Sequence, residues 1–177
     1  MRTLVRVVAG DPTRVPADAI IAFIDASRFV FGRIFIELGK VGGKTFVEQV
    51  QEHGFRRNGE LIPTTSRGSY GGGFNRVVFV VDNHTTPLNQ LVLPALHELD
   101  SAGTGRIAIN LPPDRLLEDG THQSTEALLD EFTNMMDTFV AAPPKHVFEV
   151  TIVVNLVSNP DEIVDTLREH FDVINGS

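Results

Sequence analysis

The sequence contains no cysteine, which excludes disulfides, a cysteine nucleophile and a thiolate zinc site together. It also lacks any uninterrupted apolar run of about 18 residues, the length a membrane-crossing helix requires. The opening MRTLVRVVAGD carries too short an apolar stretch for a secretory leader, so a cytoplasmic protein without membrane contact is expected. An excess of positive charge is missing as well: the formal net charge is −8. Counterion release from a phosphate backbone is therefore a poor source of affinity, and nucleic acid is not the expected partner. The six histidines, His53, His84, His97, His122, His146 and His170, form neither an H-x-x-x-H pair nor an H-E-x-x-H motif. Neither a metal site nor a cofactor is expected on that spacing. Thr65, Ser66 and Ser69 have no His and acid at the spacing of a hydrolase triad.

What is present is an ordinary globular composition, 42% hydrophobic and 21% charged over 177 residues, enough for one domain with a sizeable core over residues 1–177. The charge is uneven. Residues 1–81 carry 11 Lys and Arg against 7 Asp and Glu, whereas residues 82–177 carry 4 against 16. The first part can thus hold a small phosphorylated ligand, or its charges can simply solvate the surface.

Strand and helix signals alternate along the chain. TLVRVVA (3–9), DAIIAFI (18–24), ELIPTT (60–65), RVVFVVD (76–82), GRIAINL (105–111) and HVFEVTIVV (146–154) read as strands, the fourth a continuous apolar run suited to burial on both faces. A helix is expected from Thr86-Pro87 to Gly103, with Leu88, Leu91, Val92, Ala95, Leu96 and Leu99 on one side and a bend at Pro94. STEALLDEFTNMMDTFV and NPDEIVDTLREHF supply two more helices, the last capped by Asn159 with Pro160 at its first position. The methionines of the former, Met135 and Met136, are core residues in this reading. The alternation predicts a three-layer αβα domain around a mostly parallel, roughly six-stranded mixed sheet. Ligands in such folds bind beyond the carboxyl ends of the strands.

One stretch invites a different reading. ELGKVGGKTF ends in Gly43-Lys44-Thr45, the close of a phosphate loop, and RVVFVVD offers Asp82 for a magnesium ion. The G-x-x-x-x-G-K-[ST] spacing fails, however, because Leu38 stands where the first glycine belongs. A nucleotide held through Lys44 stays open as a lesser reading, which needs FVFGRIFIEL as a strand; otherwise the stretch is a turn between two short helical pieces with solvent-facing lysines. SRGSYGGGFN (66–75) is expected to be a hairpin-like flap over the pocket. Among the histidines, only His84, close to Asp82 and Asn83 at a predicted strand end, merits a test.

VVAGDPTRVPADAIIAFID resembles the opening of macro domains, and the later strands and helices follow that family's order over nearly the whole chain. The resemblance implies a macro-domain-like fold that binds ADP-ribose or a related nucleotide derivative, with hydrolysis of an ADP-ribose conjugate as the associated chemistry. It assigns Asp11, in the Gly10-Asp11-Pro12 turn, to the adenine amino group, a contact a carboxylate makes well; the same aspartate is equally suited to capping the turn. Where hydrolysing members read Asn-Ala-Ala-Asn, this chain has Ala22, Phe23, Ile24 and Asp25. Ile24 and Asp25 then fall beside the distal ribose, and Asp25 takes the catalytic role of positioning a water. The glycine run that approaches the pyrophosphate is reduced to Gly32, followed by Arg33. The second phosphate loop becomes PPDRLLEDG, a wall beginning at Pro112, with Arg115 among Asp114, Glu118 and Asp119. The aromatic residue that stacks on adenine is replaced by Asn155. These departures keep a second expectation alive, a degenerate macro-like domain serving as a structural or protein-interaction module. The sequence identifies no protein partner.

Overall fold

The computed structural model describes residues 2–25, 33–42, 44–54, 59–66, 73–82, 86–111, 124–155 and 160–175. Six strands are formed among these residues: β1 Leu4–Ala9, β2 Ala19–Asp25, β3 Leu61–Thr65, β4 Arg76–Asp82, β5 Arg106–Leu111 and β6 Glu149–Val154. Five helices accompany them: α1 Arg33–Gly42, α2 Thr45–His53, α3 Leu88–Ser101, α4 Thr125–Ala141 and α5 Pro160–Asn175. A short 3₁₀ turn, Pro12–Arg14, joins β1 to β2. The strands make one sheet in the order β1-β6-β5-β2-β4-β3. Every neighbouring pair is parallel except β3 with β4.

The expected three layers are observed, and alternation along the strands explains them. In β2, Ile20, Ala22 and Ile24 point to one face, where Ile34, Leu38, Phe46 and Val50 of α1 and α2 cover them. Ala19 and Ile21 point to the other, under Leu96 of α3, Phe132 and Met136 of α4 and Leu167 of α5. β4 is buried on both faces from Val77 to Asp82, as its continuous apolar run requires. Met135 and Met136 are buried in the core. α3 runs through Pro94 without interruption. Pro160 opens α5; its expected cap, Asn159, lies outside the described residues.

The phosphate-loop reading of ELGKVGGKTF meets a helix where it needs a strand. Residues 33–42 form α1, with Ile34 and Leu38 one turn apart on its buried side. A second helix begins at Thr45, so the stretch is the expected junction of two helices, with Lys40 and Lys44 exposed. Gly39 lies within α1 and does not mark the break.

The two ends of the sheet are held differently. At the amino end of β2, Asp18 accepts from the Arg106 backbone N–H at 2.8 Å and from Arg106 Nη2 at 2.9 Å, clasping β5 against β2. The β3–β4 connection stands at this same end, because β3 is antiparallel: Ser66 N–H donates to the Asn75 carbonyl and Asn75 N–H to that of Asp18. The expectation of a flap over the pocket is thereby corrected. The connection leaves from the end of the sheet opposite to the carboxyl ends of the parallel strands, although its residues 67–72 are outside the described set.

Candidate functional site

β2 and β5 are neighbours, yet the chain leaves them toward opposite faces: β2 leads to α1 on one side of the sheet, and β5 to α4 on the other. That divergence is the topological switch point at which open α/β sheets form their crevice. The ladder shows the opening directly. β2 pairs with β5 only from Ala19↔Ile107 to Ile21↔Ile109. Its pairing with β4 continues four residues further, to Asp25↔Asp82.

The residues around this crevice come from each strand end in turn. After β1, Gly10 adopts φ +142°, a conformation that glycine accepts without strain. It donates its N–H to the Val154 carbonyl at 3.0 Å, tying the β1 end to the β6 end. Asp11 Oδ1 accepts from Thr13 N–H at 2.8 Å and from Thr13 Oγ1 at 2.7 Å. This is the turn-capping role, with Pro12 buried at the first position of the 3₁₀ turn. Asp11 Oδ2 lies 3.7 Å from Arg14 Nε, beyond hydrogen-bond length. Capping thus engages one carboxylate oxygen and leaves the second able to accept from a ligand amine.

Ile24 is buried on the α1 face, so it contributes packing behind the crevice. Asp25 closes β2 in register with Asp82, which is itself buried, at 6% exposure. The backbone therefore brings two aspartates to one level on adjacent strands, while the Asp25 side chain is outside the description. Gly32, Pro112 and the remainder of the 112–120 wall lie outside the described residues, as does His84; Arg33 opens α1, and only its backbone is described.

Asn155 follows β6 directly, but it does not present an open face. Its Nδ2 donates to Glu37 Oε2 at 3.2 Å and lies 3.5 Å from Oε1. Glu37, on the sheet side of α1, is only 6% exposed. A carboxylate buried here favours ligand groups that donate hydrogen bonds and opposes phosphate. Asn110, opposite Val153 in the ladder, lies on the same face as Asn155 by the alternation of strands. Its Oδ1 is buried without a hydrogen-bond partner, a costly state that a donating ligand group would relieve.

Sequence reasoning missed Glu37 and Asn110. Glu37 had a legible signal, since it stands three residues after Ile34 and next to Leu38 on the apolar side of a helix; Asn110 stood unremarked in the strand signal GRIAINL. Among the described residues no group of three or more His, Asp or Glu is arranged to hold a metal ion. No helix among them is long and apolar enough to cross a membrane.

No protein-family profile matches the sequence, and no curated protein matches it. Solved structures do match. The macro domain of ganglioside induced differentiation associated protein 2 superposes with a TM-score of 0.74 at 12% identity, covering 95% of this chain and 84% of that one. The Trypanosoma brucei macrodomain in complex with ADP-ribose gives 0.70 at 11% identity, with 92% and 68% covered. The Oceanobacillus iheyensis macrodomain with ADP gives 0.66 at 14% identity, with 96% and 92% covered. The chain has the macro-domain fold, over 92–96% of its length in these superpositions and at 11–14% identity.

Proposed function

We propose that this protein binds ADP-ribose or a related nucleotide derivative in the crevice between the carboxyl ends of β2 and β5. The observation that carries the reading is the parting of those two strands after Ile21↔Ile109, at the switch point of the sheet. Support also comes from the fold neighbours solved with ADP and with ADP-ribose. Asp11 Oδ2 accepts from the adenine amino group while Oδ1 holds the turn. Asn110 Oδ1 supplies a further acceptor, suited to a ribose hydroxyl. For chemistry, Asp25 positions a water against the distal ribose and acts as its general base, hydrolysing an ADP-ribose conjugate, with Asp82 in register beside it on β4.

A specific observation favours a second reading. Where a stacking aromatic is expected, Asn155 is engaged by a buried carboxylate, which favours a domain retained as a structural or interaction module. Calorimetric titration with ADP-ribose, ADP and ATP with Mg²⁺ separates the two. Saturable ADP-ribose binding weakened about tenfold or more by Asp11→Ala fits the first, one charged hydrogen bond being worth roughly that factor. No heat from any of the three up to about 1 mM fits the second. Mg²⁺-dependent ATP binding abolished by Lys44→Ala would instead restore the phosphate-loop reading.

A further inference from the structure

The sheet has two edge strands, and the chain treats them differently. In β3 the outward-facing residues are those alternating with Glu60 and Ser66, whose backbone groups bond toward β4. Pro63 is one of them and has no N–H to offer. Thr65 is another, and the Gln49 side chain takes both its backbone groups: Nε2 donates to the Thr65 carbonyl at 2.7 Å, and Thr65 N–H donates to Oε1 at 3.0 Å. That edge is thereby blunted against a further strand, as exposed edges in natural sheets usually are.

Among the described residues β1 is not closed in this way. Leu4 and Gly10 direct their N–H groups to Phe148 and Val154 on the β6 side, so Val5, Val7 and Ala9 direct theirs outward. Of these outward groups the Val7 carbonyl is covered, by Arg168 Nε of α5 at 3.0 Å. Beside this edge runs a groove of about 370 Å³, lined by Leu4, Val5, Arg6, Val7, Val8, Arg168 and Phe171. Among the described residues its lining is apolar apart from two arginines and includes no carboxylate. Arg6 Nε meets Glu149 at 3.2 Å, yet the Arg6 side chain keeps 59% exposure and has further N–H donors to direct outward. Arg168 is the only cation of α5 and is placed at the edge strand.

We propose that the β1 edge is a docking site for an extended, acidic segment of a partner protein, which adds to the sheet as a seventh strand. Main-chain hydrogen bonds to Val5 and Val7 supply the pairing, and successive side chains of the segment fall alternately on the Leu4 side and on the Phe171 side of the edge. Its carboxylates meet Arg6 and Arg168, the latter exchanging the Val7 carbonyl for a bidentate carboxylate partner. Charge complementarity selects this occupant over a second copy of the chain, because an antiparallel β1–β1 pairing would bring the arginines of two copies together.

The test uses the full chain and two fluorescent peptides, one repeating Val-Val-Glu-Glu and one repeating Val-Val-Lys-Lys so that both residue types fall on each side of an extended strand, followed by anisotropy at low salt. The Glu peptide is expected to bind saturably and at least about tenfold tighter than the Lys peptide. Val5→Pro removes an outward N–H at a position where edge strands tolerate proline, and is expected to abolish binding. Arg168→Glu, which leaves the core untouched, is expected to weaken the Glu peptide at least about tenfold and to narrow its advantage over the Lys peptide. Thermal unfolding confirms that each variant is folded. The proposal is overturned if neither peptide binds below about 1 mM, if both bind equally, if folded Arg168→Glu binds the Glu peptide as the parent does, or if sedimentation shows a dimer that Val5→Pro dissociates.

Discussion

Replacing Asp18 by alanine opens the clasp at the closed end of the β2–β5 pair, and its cost can be worked from the contacts. Two bonds are lost, from the Arg106 backbone N–H at 2.8 Å and from Arg106 Nη2 at 2.9 Å. The ion pair is the smaller part, because its side chains are 38% and 39% exposed, and such surface pairs contribute about 0–1 kcal/mol. The backbone bond to a charged acceptor contributes about 1.5–2 kcal/mol. Asp18→Ala should therefore destabilise the fold by about 2–3 kcal/mol and lower Tm by roughly 4–10 °C. The pH dependence gives an independent check. Burial alone would raise the Asp18 carboxyl, but hydrogen bonds from the Arg106 side chain and backbone, the charge of Arg106 and the Gly105 N–H outweigh it and hold the carboxyl below its ordinary range. The contribution is thus fully present above the unfolded value of about 3.9 and is lost as pH falls through the lower folded value. Urea unfolding of parent and variant at neutral pH and in strong acid measures both effects. A difference under about 0.5 kcal/mol at neutral pH, or one that persists undiminished near pH 2, would refute the reasoning.

Asp100 anchors the turn before β6, accepting from the backbone N–H groups of Lys145, His146 and Val147 at 3.0, 2.7 and 3.0 Å. Asp100→Ala should cost about 1–2 kcal/mol, by analogy with a lost helix cap, and raise hydrogen exchange at those three amides. Gly105→Ala would place a Cβ 2.6 Å from Phe148 Cε1 and 3.3 Å from Asp18 Oδ2; because the Phe148 ring is exposed and can turn, the expected loss is about 1 kcal/mol in urea unfolding. Glu37→Gln keeps an acceptor for Asn155 Nδ2 while removing a negative charge beside the crevice, and calorimetry should show ADP-ribose binding strengthened by about threefold to tenfold.

The strands were legible because each is a short Val- and Ile-rich run bounded by Gly, Pro or Asp, and the helices because Leu96, Phe132 and Leu167 recur with their neighbours at helical spacing. Residues 33–42 were harder. RIFIELGKVG is apolar enough to pass for a strand, and only the Ile34–Leu38 repeat marks its single buried side. The position of the β3–β4 connection depended on the direction of β3, which alternation cannot supply, since a strand reads the same both ways. The Gly10–Asp11 turn announced itself locally, through a carboxylate bonding two residues on. The contact of Asn155 with Glu37 spans 118 residues, and the unpartnered Asn110 oxygen belongs to the first residue of β5 past the last β2–β5 pair. Such features belong to the assembled sheet and have no local signature.

The central claim is that a nucleotide derivative occupies the carboxyl-end crevice, and an amide chemical-shift map recorded during titration with ADP-ribose tests it most directly. The account predicts saturable shifts at Gly10, Asp11, Asn110 and Asn155, with Asp18, Ser66 and Gly73 at the opposite end unchanged. Absence of saturable shifts, or shifts confined to the amino end of the sheet or to the β1 edge, would contradict it.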